Sequence, residues 1–375
     1  MYIIIIFIWS SIFLIINKIV NMKSFEMVSV KRQINKERVF VNEVFKVKTI
    51  VENNKKIPIP LAYVEEVFPS DLEDVNNKMM LGDDQFKFNL SIYSVSSYER
   101  RSKSIKLRAK FRGVYNIESI NITIWDLLGL FKEEKEFKDT KRLIVYPKTE
   151  EISNMIFKSS SFFGEVPMRT WLNKDEFLTK GIREYTTMDR MKDIHWISSA
   201  KMGKLMVKEY DYSMEKNLML ILDIDAPKNK WSANYDRIRE KAISMVASIA
   251  MKSSRELVNV GLCTNAVVIE DESFSNRIIM PSTNSLDLIL EMCARIYGVR
   301  KKKLDDFLKD NMEHLTVDTT YMIISYYLDK ESIEFLKELS SKGFLIYILD
   351  VSEGLTIPKI EGINKIDFKG VIQGE

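Results

Sequence analysis

NLMLILDID, at residues 217–225, is the stretch of sequence that decides the fold. Its continuous apolar run is typical of a β-strand that is covered on both faces. The run ends in two acids, Asp223 and Asp225, and residues 234–256 then show apolar residues at helical spacing. A strand followed by a helix, repeated along the chain, predicts a parallel sheet.

The same alternation continues over the C-terminal part of the chain. It predicts right-handed crossovers between parallel strands in a Rossmann-like sheet. Ligands of such sheets bind beyond the carboxyl ends of the strands. Strand-like segments are residues 258–270, 276–282, 320–329 and 344–352, and helical segments are residues 284–299 and 330–343.

The region upstream is β-like. The segment VFKVKTIVENN, residues 44–54, alternates apolar and polar residues with the period of a half-buried strand. Short strands separated by turn residues predict a β-sandwich over residues 25–148. Residues 149–216 are predicted to be a connector, and residues 217–375 the α/β domain.

The composition suits globular domains and gives no electrostatic reason for a nucleic-acid partner. Hydrophobic residues make up 46% of the chain, charged residues 29%, and the net charge is +3. A nucleic-acid-binding domain would show a basic excess. Cys263 and Cys293 lack metal-ligand spacing and are predicted to be buried residues of a reduced compartment. His195 and His314 are too far apart in sequence for a local zinc motif.

The N-terminal segment MYIIIIFIWSSIFLIINKIV is almost wholly apolar. Because a helix needs about 20 apolar residues to cross a bilayer, residues 1–22 are predicted to be a transmembrane anchor. No basic residue precedes the run and no small-residue cleavage site follows it, which favours an uncleaved anchor over a secretory signal. Lys18, Lys23, Lys31 and Arg32 follow the run, so the positive-inside rule predicts a single-pass protein of the cell membrane with its bulk in the cytoplasm. The alternative is a cleaved signal and an exported protein.

Oxygen-bearing side chains occur where the carboxyl edge of the sheet is predicted. Carboxylates and hydroxyls that converge on one edge suit a hard cation such as Mg²⁺, which takes oxygen ligands. In the alternative interpretation, which the residues alone favour, they are ordinary loop residues and helix caps. The candidates are Asp223, Asp225, Ser282, Thr283, Asn284 and Asp329.

The densest run of ionisable groups is REYTTMDRMKDIHWISSAK, residues 183–201. Its acids and bases can pair with one another, which favours a structural segment that joins the connector to the sheet. Arg and Trp are frequent in interface hot spots, so a partner-binding surface is a second interpretation. In a third interpretation, His195 is a general base oriented by Asp189 or Asp193. This interpretation is disfavoured, because the serines next to His195 in the sequence are not convincing nucleophiles.

These motifs together resemble a bacterial family. The succession FRGVYNI…WDLLGLF…LIVYP, then REYTTMDRMKDIHWISSAKMGKLMVKEYD, then LMLILDID is similar to domain-of-unknown-function family fifty-eight. The resemblance covers most of the chain after residue 22 and departs from the family pattern at Leu127, Thr187 and Met188. The matching residues of the central motif are Arg183, Glu184, Tyr185, Asp189, Ile194, Trp196, Ser199, Ala200, Gly203, Leu205, Val207 and Glu209.

Members of this family carry a degenerate von Willebrand factor A domain and often accompany MoxR-type AAA+ ATPases. The resemblance therefore implies a von Willebrand factor A-like α/β domain and a MoxR-type ATPase as partner, in the assembly or maturation of other proteins or complexes. The implied partner-binding residues are Arg183, Glu184, Tyr185, Asp189, Asp193, His195 and Trp196.

A complete metal site of this domain type needs an Asp-x-Ser-x-Ser loop, a Thr from a second loop and an Asp from a third. Residues 223–227 read DIDAP, so an acid replaces the first Ser and Pro227 replaces the second. The resemblance implies a degenerate Mg²⁺ site. Its ligands would be Asp223, Asp225, Thr283 and Asp329.

The expected protein is thus a membrane-anchored, cytoplasm-facing scaffold or binding protein and not an enzyme. The sequence contains no complete catalytic motif, which weighs against chemistry. Two alternatives stay open: a metal-dependent hydrolase that uses the strand-end aspartates with His195, and an exported adhesion-type module.

Overall fold

The computed structural model describes most of the chain and divides it into two compact units. The described residues are 5, 7–9, 25–76, 81–82, 85–126, 129, 132–152, 179–187, 189–210, 217–227, 233–271, 274 and 278–368. The first unit comprises Met1–Thr149, Val268–Phe274 and Leu290–Tyr297, and the second comprises Glu150–Val267, Ser275–Ile289 and Gly298–Glu375.

The strands are β1 (Val28–Ile34), β2 (Arg38–Phe40), β3 (Val44–Asn53), β4 (Ile59–Pro69), β5 (Leu72–Asp74), β6 (Leu81–Gly82), β7 (Phe86–Val95), β8 (Arg100–Ala109), β9 (Gly113–Ile117), β10 (Ile120–Trp125), β11 (Lys132–Phe137), β12 (Lys141–Tyr146), β13 (Thr179–Glu184), β14 (Met206–Tyr210), β15 (Asn217–Leu222), β16 (Asn259–Thr264), β17 (Ala266–Val268), β18 (Ile278–Ser282), β19 (Ile296–Arg300), β20 (Thr320–Ser325), β21 (Leu345–Asp350) and β22 (Asn364–Asp367). The helices are α1 (Trp196–Met202), α2 (Ala233–Arg255), α3 (Leu286–Arg295), α4 (Leu304–Asp310) and α5 (Lys330–Ser341).

The described residues of the N-terminal region form three β-sheets. Their strand orders are β1-β3-β8-β5, β11-β10-β4-β7-β6 and β2-β12-β9. Alternate residues of β3 and β4 are buried, as the period of the sequence predicts. One apolar core joins the first two sheets, since Val30 and Val51 of the first pack with Val64 and Ile122 of the second. The predicted β-rich character of this region is confirmed.

A buried ion pair lies within this region. The Nε of Arg32, on β1, donates to Oε1 of Glu66, on β4, at 3.1 Å, and neither side chain is accessible to more than a trace of solvent. Arg32 also donates to the carbonyl of Glu118 at 2.8 Å, and Glu66 accepts from the hydroxyl of Thr49 at 2.7 Å. The pairing and these added hydrogen bonds oppose the cost of desolvating both charges.

The second unit contains a six-stranded sheet with the order β18-β16-β15-β20-β21-β22. Counted along the chain, this is the order 3-2-1-4-5-6 of a classic doubly wound sheet. Residues of β15, β20 and β21 pack on one face against α4 and α5. Helix α2 contacts β15, β16 and β20, where the alternate residues of β15 are also buried. The predicted mixed α/β architecture with a parallel sheet is confirmed.

Strand β18 is the exception to the parallel arrangement, because it runs antiparallel to β16. A parallel neighbour would need a long crossover, usually a helix, whereas the described residues between β16 and β18 contain only the short strand β17. The direction of β18 decides where the residues that follow it lie.

The predicted membrane anchor at residues 1–22 lies outside the described residues, apart from residues 5 and 7–9. No helix in the part of the chain that the structure describes is long and apolar enough to cross a bilayer. Both cysteines are buried as predicted, and burial raises the pKa of the Cys263 thiol to about 12.

Candidate functional site

The carboxylate of Asp223 lies at the point where the strand order of the sheet reverses, between β15 and β20. This is the position where doubly wound sheets open a crevice for ligands. Here the position is filled by hydrogen bonds, since Asp223 accepts from the Asn265 amide at 2.6 Å and from the Ser325 hydroxyl at 2.8 Å. The backbone N–H of Asp225 donates to the same carboxylate at 3.0 Å. Both oxygens of Asp223 are thus used by the protein itself.

Asp223 is completely buried, and its desolvation raises the pKa of the carboxyl to about 7. The hydrogen bonds from Asp225, Ser325 and Asn265 favour the charged form and oppose this shift. Burial is the larger effect, so the carboxyl titrates near neutral pH.

Asp225 is also buried, and it is paired with a cation of the protein. Its carboxylate contacts the guanidinium of Arg300, whose side chain is partly exposed. The N–H of Ala226 donates to the same carboxylate at 2.8 Å. Arg300 therefore supplies the positive charge beside Asp225 that a metal ion would supply in a metal-binding loop.

Asp329 serves as the N-cap of α5. Its Oδ1 accepts from the backbone N–H of Ser332 at 2.9 Å, and its other oxygen pairs with Lys303 at 3.0 Å. These hydrogen bonds outweigh partial desolvation and lower the pKa of Asp329 to about 2. The capping role is the one that the residue type favours at this position.

The structure places Thr283 at the opposite edge of the sheet from Asp223. Ser282 pairs with Val260 near the start of β16, while Leu222 pairs with Thr264 at its end. The two positions are separated by four residues of strand, roughly 13 Å. The prediction that Thr283 converges with the strand-end aspartates is therefore corrected, because it assumed that β18 runs parallel to its neighbour.

The residues at the carboxyl edge do not fit the predicted magnesium site. Asp223 is saturated by protein donors, Asp225 faces a guanidinium, and Thr283 lies elsewhere. Within the described ranges, no group of three or more His, Cys, Asp or Glu side chains is arranged to hold a metal ion.

The run at residues 183–201, called the signature segment below, forms a second polar cluster. At its start, the guanidinium of Arg183 pairs with the carboxylate of Asp189. The guanidinium donates two parallel hydrogen bonds to the carboxylate, at 2.7 and 2.5 Å. The N–H and hydroxyl of Thr186 donate to the same carboxylate at 2.8 Å. These contacts, led by that of Arg183, hold the pKa of Asp189 well below its usual range. The cluster fixes the turn between β13 and α1.

His195 is the N-cap of α1. Its Nδ1 accepts from the backbone N–H of Ser198 at 3.1 Å, so this nitrogen carries no proton and the neutral ring carries its proton on Nε2. The hydroxyl of Ser199 accepts from the N–H of Met206 at 2.8 Å and ties α1 to β14. Gly203 ends the helix in a left-handed conformation with φ of 67°, which favours glycine.

Helix α1 is held at both ends, yet its apolar side chains point to solvent. Trp196, Ile197 and Met202 are 64%, 68% and 63% exposed, and every residue of the helix is at least partly exposed. A group of exposed apolar side chains on one short element often marks a site of interaction.

The other signature residues surround this helix in different environments. Glu184 is exposed and pairs with Lys204. Tyr185 is partly buried, and its backbone N–H donates to the carbonyl of Leu205 at 3.0 Å. Asp193 is buried in the 3-10 turn just before α1. Much of the described segment is exposed, and its exposed large apolar side chains are those of Met191, Trp196 and Ile197.

Sequence reasoning missed four residues of the carboxyl edge. Asn265 carried the same local signal as Asp223, because it is a polar residue directly after an apolar strand. No local sequence pattern links Arg300 to Asp225, because the two residues come together only when the chain folds. The four missed residues are Asn265, Arg300, Ser325 and Asp350, the last of which is buried and paired with Lys365.

From residue 179 onward, the described chain defines an α/β open-sheet protein with an internally paired carboxyl edge and an exposed signature helix. Residues 181–360 match the model of the family described as "Protein of unknown function DUF58". The resemblance inferred from the sequence is confirmed.

A curated relative supports this assignment. "Uncharacterized protein YeaD" of Bacillus subtilis (strain 168) is 26% identical over 219 residues, which is 56% of this chain and 49% of the relative. The chain therefore spans about half the length of the curated relative that it matches.

Solved structures give only weak likenesses. The CARDB domain of the PF1109 protein of Pyrococcus furiosus is 18% identical, with a TM-score of 0.21, over 32% of this chain and 96% of that one. Native alpha-2-macroglobulin of Escherichia coli is 15% identical, with a TM-score of 0.25, over 32% of this chain and 24% of that one. TM-scores at this level carry no argument about fold or function.

Proposed function

We propose that the protein is a membrane-anchored, cytoplasm-facing scaffold that binds a partner protein through α1 and the residues around it. The partner suggested by the family resemblance is a MoxR-type AAA+ ATPase, and the process is the assembly or maturation of other proteins or complexes. The proposal assigns no chemical step to the chain.

The observation that carries this proposal is the combination of exposure and rigidity at α1. Burying large apolar side chains stabilises a complex most when they are fixed before binding, because less conformational entropy is then lost. The His195 cap and the Ser199 contact to β14 hold the backbone on both sides of Trp196. Trp and Arg are also the residues most often found in hot spots.

The finer architecture in this proposal is a von Willebrand factor A-like domain preceded by a β-sandwich and an anchor. The strand order of the six-stranded sheet supports the first, and the shared core of the two larger N-terminal sheets supports the second. The apolar composition of residues 1–22 and the basic residues after it support the anchor and its orientation.

The state of His195 supports binding over hydrolysis. A general base must accept a proton from a reacting group. In this chain Nδ1 of His195 already accepts the N–H of Ser198 as a helix cap. The carboxylates of Asp223 and Asp225 are likewise engaged by Asn265 and Arg300.

Co-purification from native membranes tests the proposal. The full chain, with an affinity tag, is expected to retain the MoxR-type ATPase of the same cell. Combined replacement Trp196→Ala and Ile197→Ser should lower the recovered ATPase about tenfold or more, since two central apolar contacts are lost.

Val317→Ser is the matched control, because Val317 is also an exposed apolar residue of the same unit. It should leave the recovery unchanged. If the wild-type chain retains no such ATPase, or if the α1 variant retains it fully, the proposed partner surface is wrong.

A further inference from the structure

Strand β7 presents large apolar side chains on the side that an antiparallel strand usually turns to water. Phe86, Phe88, Leu90 and Ile92 are between 36% and 55% exposed and occupy alternate positions of one face. The positions between them on the opposite face begin with Lys87, which is polar. In this half of β7 the apolar side chains are therefore on the exposed face and polar side chains are on the opposite face. Packing in the protein core does not account for the exposed apolar side chains.

The apolar stripe continues across the same sheet into an open groove. Tyr63 of β4 is paired with Ile92, and Leu61 is paired with Trp125 of β10. The side chains of Leu61, Tyr63, Leu90 and Trp125 line a groove of about 840 Å³. A groove of this volume and lining is within the range of ligand-binding clefts.

The far margin of the groove is acidic. Glu134 and Glu136 of β11 face Thr123 and Asn121, and Glu65 of β4 also faces Asn121. Among the described residues of the lining, Lys132 is the cation, and it pairs with Glu134 at 2.7 Å. The margin therefore has an excess of negative charge beside an apolar floor.

We propose that this face of β4, β7 and β10 binds a peptide segment of another protein that carries apolar and basic side chains. The apolar side chains would enter the groove at Leu90 and Trp125, and the basic ones would pair with Glu134 and Glu136. An anionic lipid surface would be repelled by the same glutamates. A second copy packed face to face would bring two acidic margins together, where like charges destabilise pairing.

Binding of synthetic peptides to the full chain in nanodiscs of neutral lipid tests this proposal. The probes are a labelled peptide of alternating leucine and lysine and a matched peptide of alternating leucine and glutamate, followed by fluorescence anisotropy. The lysine peptide is expected to bind, and the glutamate peptide to bind about tenfold more weakly or less. Leu90→Asn should weaken the lysine peptide about tenfold, because apolar contact area is lost.

Leu257→Asn is the control, since Leu257 is exposed, lies in the other unit and has a positive φ that asparagine accepts. It should change neither affinity. Glu134→Lys with Glu136→Lys should reverse the preference between the two peptides. This test does not involve α1, so its result is independent of the proposed ATPase surface.

Three outcomes would overturn the proposal. The first is equal or absent binding of the two peptides, or binding that Leu90→Asn leaves unchanged. The second is a dimer of the free chain that Leu90→Asn converts to a monomer, which would identify a second copy as the occupant. The third is binding of the full chain to phosphatidylglycerol vesicles that Leu90→Asn abolishes, which would identify a bilayer as the occupant.

Discussion

Single carboxylates at the carboxyl edge of the parallel sheet show how the protein handles buried charge. Asp225 meets the guanidinium of Arg300, and Asp350 meets the ammonium of Lys365 at 2.9 Å. Asp223 instead receives only uncharged donors, from Asn265, Ser325 and a backbone N–H. Burial raises the pKa of the Asp223 carboxyl, and the hydrogen bonds from these uncharged donors oppose the shift without cancelling it.

Replacement of Asp223 by asparagine is expected to flatten the dependence of stability on pH. The pKa of Asp223 is about 7 in the folded chain against 3.8 for a free side chain, so the folded chain keeps a proton that the unfolded chain releases. The stability of the wild-type chain relative to the variant is fully present below about pH 4 and falls as the pH rises through 7, by up to about 4 kcal/mol.

Urea denaturation of both chains from about pH 4 to about pH 8 measures this difference. Asp310→Asn, at a surface position paired with Lys302, is the control and should keep the wild-type pH dependence. If the stability of wild type relative to Asp223→Asn instead rises with pH, the prediction is wrong, because the fold would then stabilise the charged carboxylate.

At the scale of single residues, part of this site can be predicted from the sequence. An acid directly after a buried apolar strand predicts the position of Asp223 and Asp225 at a sheet edge. The partner of each acid is decided by the path of the chain. Arg300 lies 75 residues from Asp225, and no local pattern connects the two.

Individual elements were predictable where periodicity and connection agree. Alternation in β3 gave a half-buried strand, and the continuous run in β15 gave a doubly covered one. The direction of β18 was missed, although the sequence held the relevant clue. No segment of helical spacing separates β16 from β18, and a parallel neighbour would need one. The connection between β16 and β18 therefore indicates an antiparallel β18, and with it the position of Thr283.

The contact between β1 and β4 gives a prediction about the N-terminal unit. Arg32→Ala is expected to lower the free energy of unfolding by about 3–5 kcal/mol, because it leaves the buried carboxylate of Glu66 without its cation. The double variant Arg32→Met with Glu66→Leu should be near neutral or more stable than wild type, because both buried charges are then removed together.

Thermal or urea unfolding of the full chain, followed by a probe in the N-terminal unit, compares the three proteins. Arg101→Ala is a matched control, since Arg101 also pairs with a glutamate of this unit but is exposed. A double variant that is as unstable as Arg32→Ala would mean that the pair itself, rather than its half-removal, carries the stability.

For the whole molecule, the testable quantity is orientation. If the segment at residues 1–22 is an uncleaved anchor with basic residues on its inner side, the bulk of the chain faces the cytoplasm. Protease added to intact cells should then spare the chain, and protease added to inverted membrane vesicles should digest it.

A membrane protein with a known outward domain, digested in intact cells, verifies that the protease is active there. Digestion of this chain in intact cells would support an exported module and would remove the cytoplasmic ATPase as a partner. The location of the bulk of the chain thus decides between the scaffold and adhesion-type interpretations.

The pairing of Asp225 with Arg300 has a consequence for how the domain responds to its surroundings. An ion that binds from solution is exchangeable, and its occupancy follows its free concentration. A guanidinium attached to the chain has no such dependence, so chelation or a shortage of divalent ions leaves the Arg300–Asp225 pair intact. The charge balance of this pair is therefore established when the chain folds and does not depend on the supply of divalent ions.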